Sequence, residues 1–294
     1  MDKKLFPRTT VGGASVSRMI IGTNWILGYS HTSAAANKSI HSLNDTGDNI
    51  YNMLLKFLAK GVDTIMGPFS SGSMKNSAAA EQMEHMLESI KRAEEATGKK
   101  IIMVDTPFIS VDDNAEARRE AEATIKRSRE IGSTFCLIHH AAAEQLVNKN
   151  KQTLDRLPDY LAMIRDNGLI PGLSAHMPEL VVYSDKNGYD VETYIQIYNC
   201  MGFLMQIEVE SVNRIIWNAK KPVMTIKPMA AGRVTPFIGL NFSWSTIRPC
   251  DMVTVGCMTP DEAEEDMEIS FANFERRRPD LAGRGSPVAT ELTK

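Results

Sequence analysis

The stretch CLIHH, residues 136–140, is a short apolar run that stops at two ionisable side chains. The same pattern occurs before it in IIMVDT (101–106) and after it in GLSAH (172–176). Five further apolar runs carry or end in polar residues: MIIGTN (19–24), GVDTIMGP (61–68), MQIEVE (205–210), VMTIK (223–227) and VTVGC (253–257). Eight strand-like runs that alternate with amphipathic helical stretches predict an α/β fold, a single (β/α)8 barrel.

The predicted elements divide the chain into eight strand–helix units within one domain, 1–294. After a first strand within 16–24, strands are predicted at 62–67, 100–106, 134–139, 170–174, 203–208, 223–227 and 252–256. Helices are predicted between them, including 151–167, 191–201 and 212–219. A hairpin at about 5–17 precedes the barrel, and a tail at about 279–294 follows it. The long connection 25–46 is predicted to be a lid or binding loop with little structure of its own.

Composition narrows the range of partners. The chain has 294 residues, 43% of them hydrophobic, and a formal net charge of −3, which gives no electrostatic reason to bind nucleic acid or an anionic membrane. Its four cysteines are widely spaced, and no run reaches the length of a membrane span. We therefore expect a cytoplasmic protein whose partner is a small-molecule substrate.

Active sites of such barrels lie at the carboxyl ends of the strands. The polar residues at these ends are therefore the candidate catalytic residues: Asp63, Asp105, His139, His176, Glu208 and Lys227. Imidazoles and carboxylates are ligands for divalent metals, so four of the candidates are predicted to bind Zn²⁺, Mn²⁺ or Mg²⁺: Asp105, His139, His176 and Glu208. The alternative is that the two histidines act as acid and base groups and that Asp105 or Glu208 acts as a base. Lys227 is predicted to stabilise charge, with a Schiff-base role as the alternative.

Each candidate also has a structural alternative. A histidine at a strand end, such as His139, can simply bond a backbone carbonyl, and Glu208 can form an ion pair with Lys227 or Arg214. If the strand continues, His140 points away from His139 and is predicted to be structural.

Several motifs together resemble the aldo-keto reductase superfamily. They are, in chain order, VSRMIIGTN (16–24), AKGVDTI (59–65), STFCLIHH (133–140), RDNGLIPGLSAHMPELV (165–181), TIKPMAAGRV (225–234) and VGCMTPDEAEED (255–266). The resemblance implies that fold over residues 11–270 and an NAD(P)H-dependent carbonyl reduction by Asp, Tyr, Lys and His. Asp63 and His139 match the Asp and the His of the family.

The chain departs from the family at two catalytic positions. Pro68 stands at the position of the Tyr, and Asp105 at the position of the Lys. For the cofactor, Ser174 and Gln206 match the residues that hold the nicotinamide amide. In the last strand–helix unit, an acidic cluster takes the place where the family can use basic residues on a 2′-phosphate: Glu262, Glu264 and Glu265. The resemblance therefore implies that the chain retains the barrel of the family but catalyses a different reaction.

Three functions remain open from the sequence. The leading hypothesis is a non-redox enzyme, an isomerase, epimerase or lyase, that moves a proton on a small hydroxylated carbonyl or sugar-like substrate, assisted by a divalent metal. The first alternative is an atypical NAD(P)-dependent oxidoreductase of the aldo-keto reductase type. The second is a non-catalytic binding protein built on the barrel.

Overall fold

Eight parallel strands close into a barrel in the computed structural model, which describes residues 4–71 and 78–281. In chain order they are β3 (Met19–Gly22), β4 (Thr64–Gly67), β5 (Ile102–Asp105), β6 (Phe135–Ile138), β9 (Ile170–Ala175), β10 (Tyr194–Ile197), β11 (Val223–Ile226) and β12 (Met252–Val255). Each strand pairs with the next along the chain, and β12 pairs with β3 to close the sheet. The predicted (β/α)8 barrel is confirmed.

Helices cover the outside of the barrel, as parallel strands require. They are α1 (Ala34–Leu43), α2 (Asp48–Ala59), α3 (Ala78–Thr97), α4 (Ala115–Glu130), α5 (His140–Ala143), α6 (Leu157–Asp166), α7 (Glu179–Asn187), α8 (Val209–Asn218), α9 (Pro236–Thr246) and α10 (Pro260–Glu275). Several begin at residues whose side chains accept a backbone N–H, as Ser33, Asn114 and Thr259 do. No helix in the described ranges is long and apolar enough to cross a membrane.

Two antiparallel hairpins lie outside the barrel sheet. The first joins β1 (Arg8–Val11) to β2 (Ala14–Ser17), and its Val11 and Val16 pack with the side chains that fill the barrel. This hairpin therefore covers the end of the barrel at which the strands begin. The second joins β7 (Val147–Asn148) to β8 (Thr153–Leu154) between β6 and α6.

Successive side chains of a strand point to opposite faces, so the side chains of the barrel strands divide into two hydrophobic clusters. Alternate side chains of the strands point inward and form one cluster: Ile20, Met66, Val104, Phe135, Leu137, Ile195, Met224 and Met252. The other side chains face the helices and join a larger cluster, which includes Cys136, Leu173 and Tyr194. Because both faces of the strands are buried, their sequences are almost wholly apolar, which made seven of the eight strands recognisable.

The prediction of the sixth strand was wrong. Residues 203–208 form a loop before α8, and the sixth strand is β10 (Tyr194–Ile197), inside the segment predicted as a helix at 191–201. The segment TYIQIYN is rich in β-branched and aromatic residues, which favour a strand that is buried on both faces. An apolar run of this length does not distinguish a buried strand from a buried helix by its period alone.

Two connections also differ from their predictions. The connection 25–46 is not without structure, because it contains α1, which Ser33 caps. The predicted helix at 151–167 begins six residues later, at Leu157, because residues before it form the hairpin of β7 and β8. Most of the predicted tail, 282–294, lies outside the described residues.

Candidate active site

Four aromatic rings pack in a row where β5, β6 and β9 end. Phe108 follows β5, His139 and His140 follow β6, and His176 follows β9. The ring centroids are 3.9 Å apart for Phe108 and His139, and 4.3 Å apart for His139 and His140. His140 and His176 stack at 3.6 Å with their planes inclined by 18°. The three histidines thus lie at the end of the barrel where active sites of this fold occur.

Glu144 completes a cluster of possible metal ligands. It lies four residues after His140, so both side chains lie on one side of the turn that starts with α5. Glu144 Oε1 accepts the backbone N–H groups of His176 and Met177, at 2.7 and 3.0 Å, and lies 3.8 Å from His140 Nδ1. One ligand atom from each of His140, Glu144 and His176 lies within 4.8 Å of the others, the one such group in the described ranges.

His139 and His176 are neutral at neutral pH. Burial, together with the smaller effect of the neighbouring His140, lowers the pKa of His139 to about 3 and that of His176 to about 4. Burial alone would raise the pKa of Glu144, but the nearby His140 and the two backbone N–H groups lower it. The cluster therefore combines the neutral imidazole of His176 with the ionised carboxylate of Glu144, which is the protonation state that metal ligands need.

His139 is oriented differently from the other two histidines. Its Nδ1 accepts the backbone N–H of Ala141 at 3.2 Å, so His139 caps the N-terminus of α5. The lone pair of the neutral ring is used in this bond, and the proton therefore sits on Nε2. In this arrangement His139 offers a hydrogen-bond donor to the site and not a metal ligand, contrary to the prediction.

Lys227 reaches the same rim from the end of β11. Its backbone has a φ of 62°, an uncommon conformation for a residue other than glycine. Burial lowers the pKa of its ammonium to about 8, and its charge lowers the pKa of both His139 and His176. Lys227 Nζ lies 3.0 Å from Nε2 of His31, which belongs to the connection after β3. The predicted lid loop therefore contacts the predicted site residue Lys227.

Three predicted site residues are not brought to this cluster. Asp63 precedes β4, and its carboxylate accepts from Arg8 Nη1 at 2.8 Å at the opposite end of the barrel. Asp105 points out of the barrel, where its carboxylate accepts from Ser70 Oγ at 2.5 Å. Burial raises the pKa of Asp105 to about 6. Glu208 is exposed at the start of α8, because the strand that was to carry it is a loop.

The predicted metal-ligand set is corrected accordingly. Of Asp105, His139, His176 and Glu208, only His176 belongs to the cluster of possible ligands. The sequence contained a signal for the other two members, which was missed: in HAAAE, residues 140–144, His140 and Glu144 have the spacing of neighbours on a helix. The prediction that His140 is structural assumed that the strand continues, but β6 ends at Ile138.

The two residues predicted to hold a nicotinamide are separated as well. Ser174 lies on β9 and is buried, but Gln206 is exposed in the loop before α8. The glutamine on the neighbouring strand is Gln196, whose Nε2 donates to the carbonyl of His176 at 3.5 Å. The Oε1 atom of Gln196 is buried and has no hydrogen-bond partner within residues 4–71 and 78–281.

Comparison with solved structures identifies the fold. A protein from Pseudomonas aeruginosa described as an aldo-keto reductase superposes with a TM-score of 0.62 at 15% identity, covering 92% of this chain and 98% of its own. The fold is an aldo-keto reductase-like barrel. The aldo/keto reductase of Klebsiella pneumoniae, in complex with NADP and acetate, gives a TM-score of 0.54 at 13% identity, with 97% and 94% covered.

A second group of similar structures consists of Rubisco proteins, whose name describes a reaction different from that of an aldo-keto reductase. A dimeric archaeal Rubisco from Hyperthermus butylicus gives a TM-score of 0.50 at 13% identity, covering 86% of this chain and 62% of that chain. No family model matches the sequence, and no curated protein matches it either. Both groups contain enzymes, so the barrel is one on which enzymes are built, while the class of reaction has to come from the site.

Proposed function

We propose that this protein is a non-redox enzyme, a lyase, isomerase or epimerase, that moves a proton on a small hydroxylated carbonyl compound with the help of a divalent metal. The observation that carries the proposal is the cluster of His140, Glu144 and His176 at the carboxyl end of the barrel. Two imidazoles and one carboxylate suit Zn²⁺, Mn²⁺ or a similar ion and leave coordination positions open for a substrate.

The surroundings of the cluster support a metal site. The buried Nδ1 of His140 has no hydrogen-bond partner among the described residues, so it is available as a ligand. Glu144 is fixed by two backbone N–H groups, which is the kind of outer-shell support that orients a ligand. A bound metal would polarise a carbonyl or hydroxyl oxygen of the substrate and so ease the loss of a neighbouring proton.

Other side chains at the rim are suited to handle the proton and the charge. Lys227 has a pKa of about 8, close to the pH at which a general acid works best. His139 presents the Nε2–H group of a neutral ring beside the cluster. We assign Lys227 to charge stabilisation and proton donation, and His139 to hydrogen bonding of a substrate oxygen.

The test compares metal content with turnover. Protein purified without chelator is expected to contain about one equivalent of metal and to convert one member of a panel of sugars, sugar acids and short hydroxy acids. Glu144→Gln keeps an oxygen for the backbone N–H groups but removes the charge, so we expect it to lose both metal and turnover. His139→Asn, which keeps the helix cap, is the matched control and is expected to retain the metal. Turnover that persists after complete removal of metal would contradict the metal-assisted mechanism.

One observation favours a second candidate, an atypical NAD(P)-dependent oxidoreductase. Ser174 and Gln196 lie on neighbouring strands near the rim. In the part of the chain that the structure describes, Gln196 Oε1 lacks a hydrogen-bond donor, which the amide of a nicotinamide could supply. A similar barrel is known in complex with NADP. Titration with NADPH, followed by its fluorescence, separates the candidates: saturable binding that Gln196→Ala weakens supports the oxidoreductase.

A further inference from the structure

We infer that the substrate carries a carboxylate, which binds to Arg233 and Lys227 beneath the loop that contains His31. This inference deepens the proposed function by naming the chemical class of the substrate, a short hydroxy or keto acid. It rests on the proposed function only for the reaction, because the anion site is formed by residues outside the metal cluster.

The first observation is that two cations at the rim have no acidic partner. Within residues 4–71 and 78–281, no carboxylate oxygen lies within 4.0 Å of Lys227 Nζ or of the Arg233 guanidinium, although other lysines and arginines form many such pairs. The whole chain has a net charge of −3, so this positive spot is a local feature. Two unpaired cations in one place favour the binding of an anion.

The second observation is the way in which Arg233 is held. Its Cζ lies 4.1 Å from the centroid of the Phe203 ring, so the ring supports the guanidinium from one side. Its Nη1 donates to the carbonyl of Ala230 at 3.2 Å, and its Nη2 makes a long contact of 3.5 Å with the carbonyl of His31. A guanidinium has five N–H donors in a planar fork, so donors remain for the two oxygens of a carboxylate.

The third observation is that one residue connects the two cations. His31 Nε2 lies 3.0 Å from Lys227 Nζ, while the carbonyl oxygen of His31 contacts Arg233. Burial lowers the pKa of His31, and the charges of Lys227 and Arg233 lower it further. Both cations therefore contact one residue, Lys227 through the imidazole of His31 and Arg233 through its backbone carbonyl.

Backbone strain is concentrated in the two loops that form this site. Eight described residues other than glycine have a positive φ, and four of them are His31, Lys227, Ala230 and Ala231. The left-handed conformation is strained for such residues, and strain of this kind often accompanies functional sites. The strained turn after β11 is what carries Lys227 and Arg233 to the same side of the rim.

The anion site and the metal cluster lie at the same rim of the barrel, since Lys227 follows β11 and His176 follows β9. An acid with a hydroxyl or carbonyl group near its carboxylate would bring both groups to this rim.

The test measures binding to metal-free protein by calorimetry, with a panel of glycerate, lactate, malate and gluconate and with glycerol as the neutral counterpart. We expect at least one acid to bind and glycerol not to bind. Arg233→Gln is expected to weaken the binding of that acid about tenfold, the loss of one charge-assisted hydrogen bond. Arg233→Lys should restore part of the affinity, and Arg119→Gln, at an exposed position on α4, should leave it unchanged.

Several outcomes contradict the inference. It is wrong if no acid of the panel binds, if glycerol binds as well as the acids, or if Arg233→Gln and Arg119→Gln behave alike while circular dichroism shows both to be folded. Binding of NADP⁺ that depends on Arg233, without binding of any acid, would assign the cations to a dinucleotide. Because the binding experiment uses metal-free protein, a failure of the acids to bind would not contradict the proposed metal site. In the same way, a protein that binds no metal could still bind the acids.

Discussion

The imidazole rings of His140 and His176 stack face to face, with centroids 3.6 Å apart and planes inclined by only 18°. The lone pair of an imidazole nitrogen lies in the plane of its ring, so one ion cannot lie in both of these nearly parallel planes. Metal binding therefore requires one ring to rotate about its Cβ–Cγ bond. A stacked aromatic pair contributes about 0.5–1.5 kcal/mol, which is small beside the roughly 10–16 kcal/mol of structural zinc sites.

This rotation gives a spectroscopic prediction. One equivalent of Zn²⁺ should shift the ring resonances of His140 and His176 in the nuclear magnetic resonance spectrum, because the stack opens and a nitrogen of each ring binds the metal. The ring of His139 should keep its Nε2–H tautomer, since its Nδ1 still caps α5. Unchanged resonances for His140 and His176, at a metal concentration that binds to the protein, would place the metal elsewhere.

Asp105 gives a prediction for stability. Its pKa is about 6 in the folded chain and near 3.8 when unfolded, so the folded state binds more protons between these values. The free energy of unfolding therefore falls as the pH rises through this window. Asp105→Asn mimics the protonated carboxyl group and removes this penalty. We expect the variant to be more stable than the natural chain by roughly 1–3 kcal/mol at pH 8.

The same comparison at low pH provides the control for Asp105. Near pH 4 the natural carboxyl group is protonated, and the two proteins should unfold at almost the same denaturant concentration. A natural chain that is more stable than Asp105→Asn at pH 8 would contradict the assignment and would mean that the carboxylate has favourable partners when ionised.

Lys227 gives a prediction for the pH dependence of binding. Its folded pKa of about 8 lies below its ordinary value, so its charge is present at neutral pH and is lost as the pH rises through about 8. Binding of the carboxylate substrate should weaken above that pH. The nearby His31, His139 and His176 are already neutral there, since the pKa of each is lowered. In Lys227→Gln this weakening of binding at high pH should be absent. If it persists in that variant, it comes from the titration of another group.

Asp63 gives a prediction of no effect on catalysis. It pairs with Arg8 at the end of the barrel away from the cluster, although the family resemblance implied a catalytic role. Asp63→Asn should retain full turnover and lose less than about 1 kcal/mol of stability, as is usual for partly exposed ion pairs. A loss of turnover of tenfold or more, with unchanged stability, would contradict the placement of Asp63 outside the site.

Much of the fold could be predicted from the sequence because barrel strands are buried on both faces. Strands such as β6 and β11 are short, almost wholly apolar and followed by polar residues. The strand β10 was missed because its apolar run could equally be a helix, and this error moved Glu208 and Gln206 to a rim that they do not reach.

The site was harder to predict than the fold, because it depends on where each strand stops and which way each side chain points. Asp105 ends β5, as predicted, but it lies on the outward face of the strand. His140 joins the cluster because β6 ends one residue before His139 and α5 begins at once. His31 reaches Lys227 from a different loop, a contact over 196 residues that no local pattern indicates.

The most direct test of the central claim is the metal content of three proteins after dialysis against a Zn²⁺ or Mn²⁺ buffer. We predict about one equivalent in the natural chain and in His139→Asn, and none in Glu144→Gln. Metal retained by Glu144→Gln, or lost from His139→Asn while it remains folded, would show that His140, Glu144 and His176 are not the ligands.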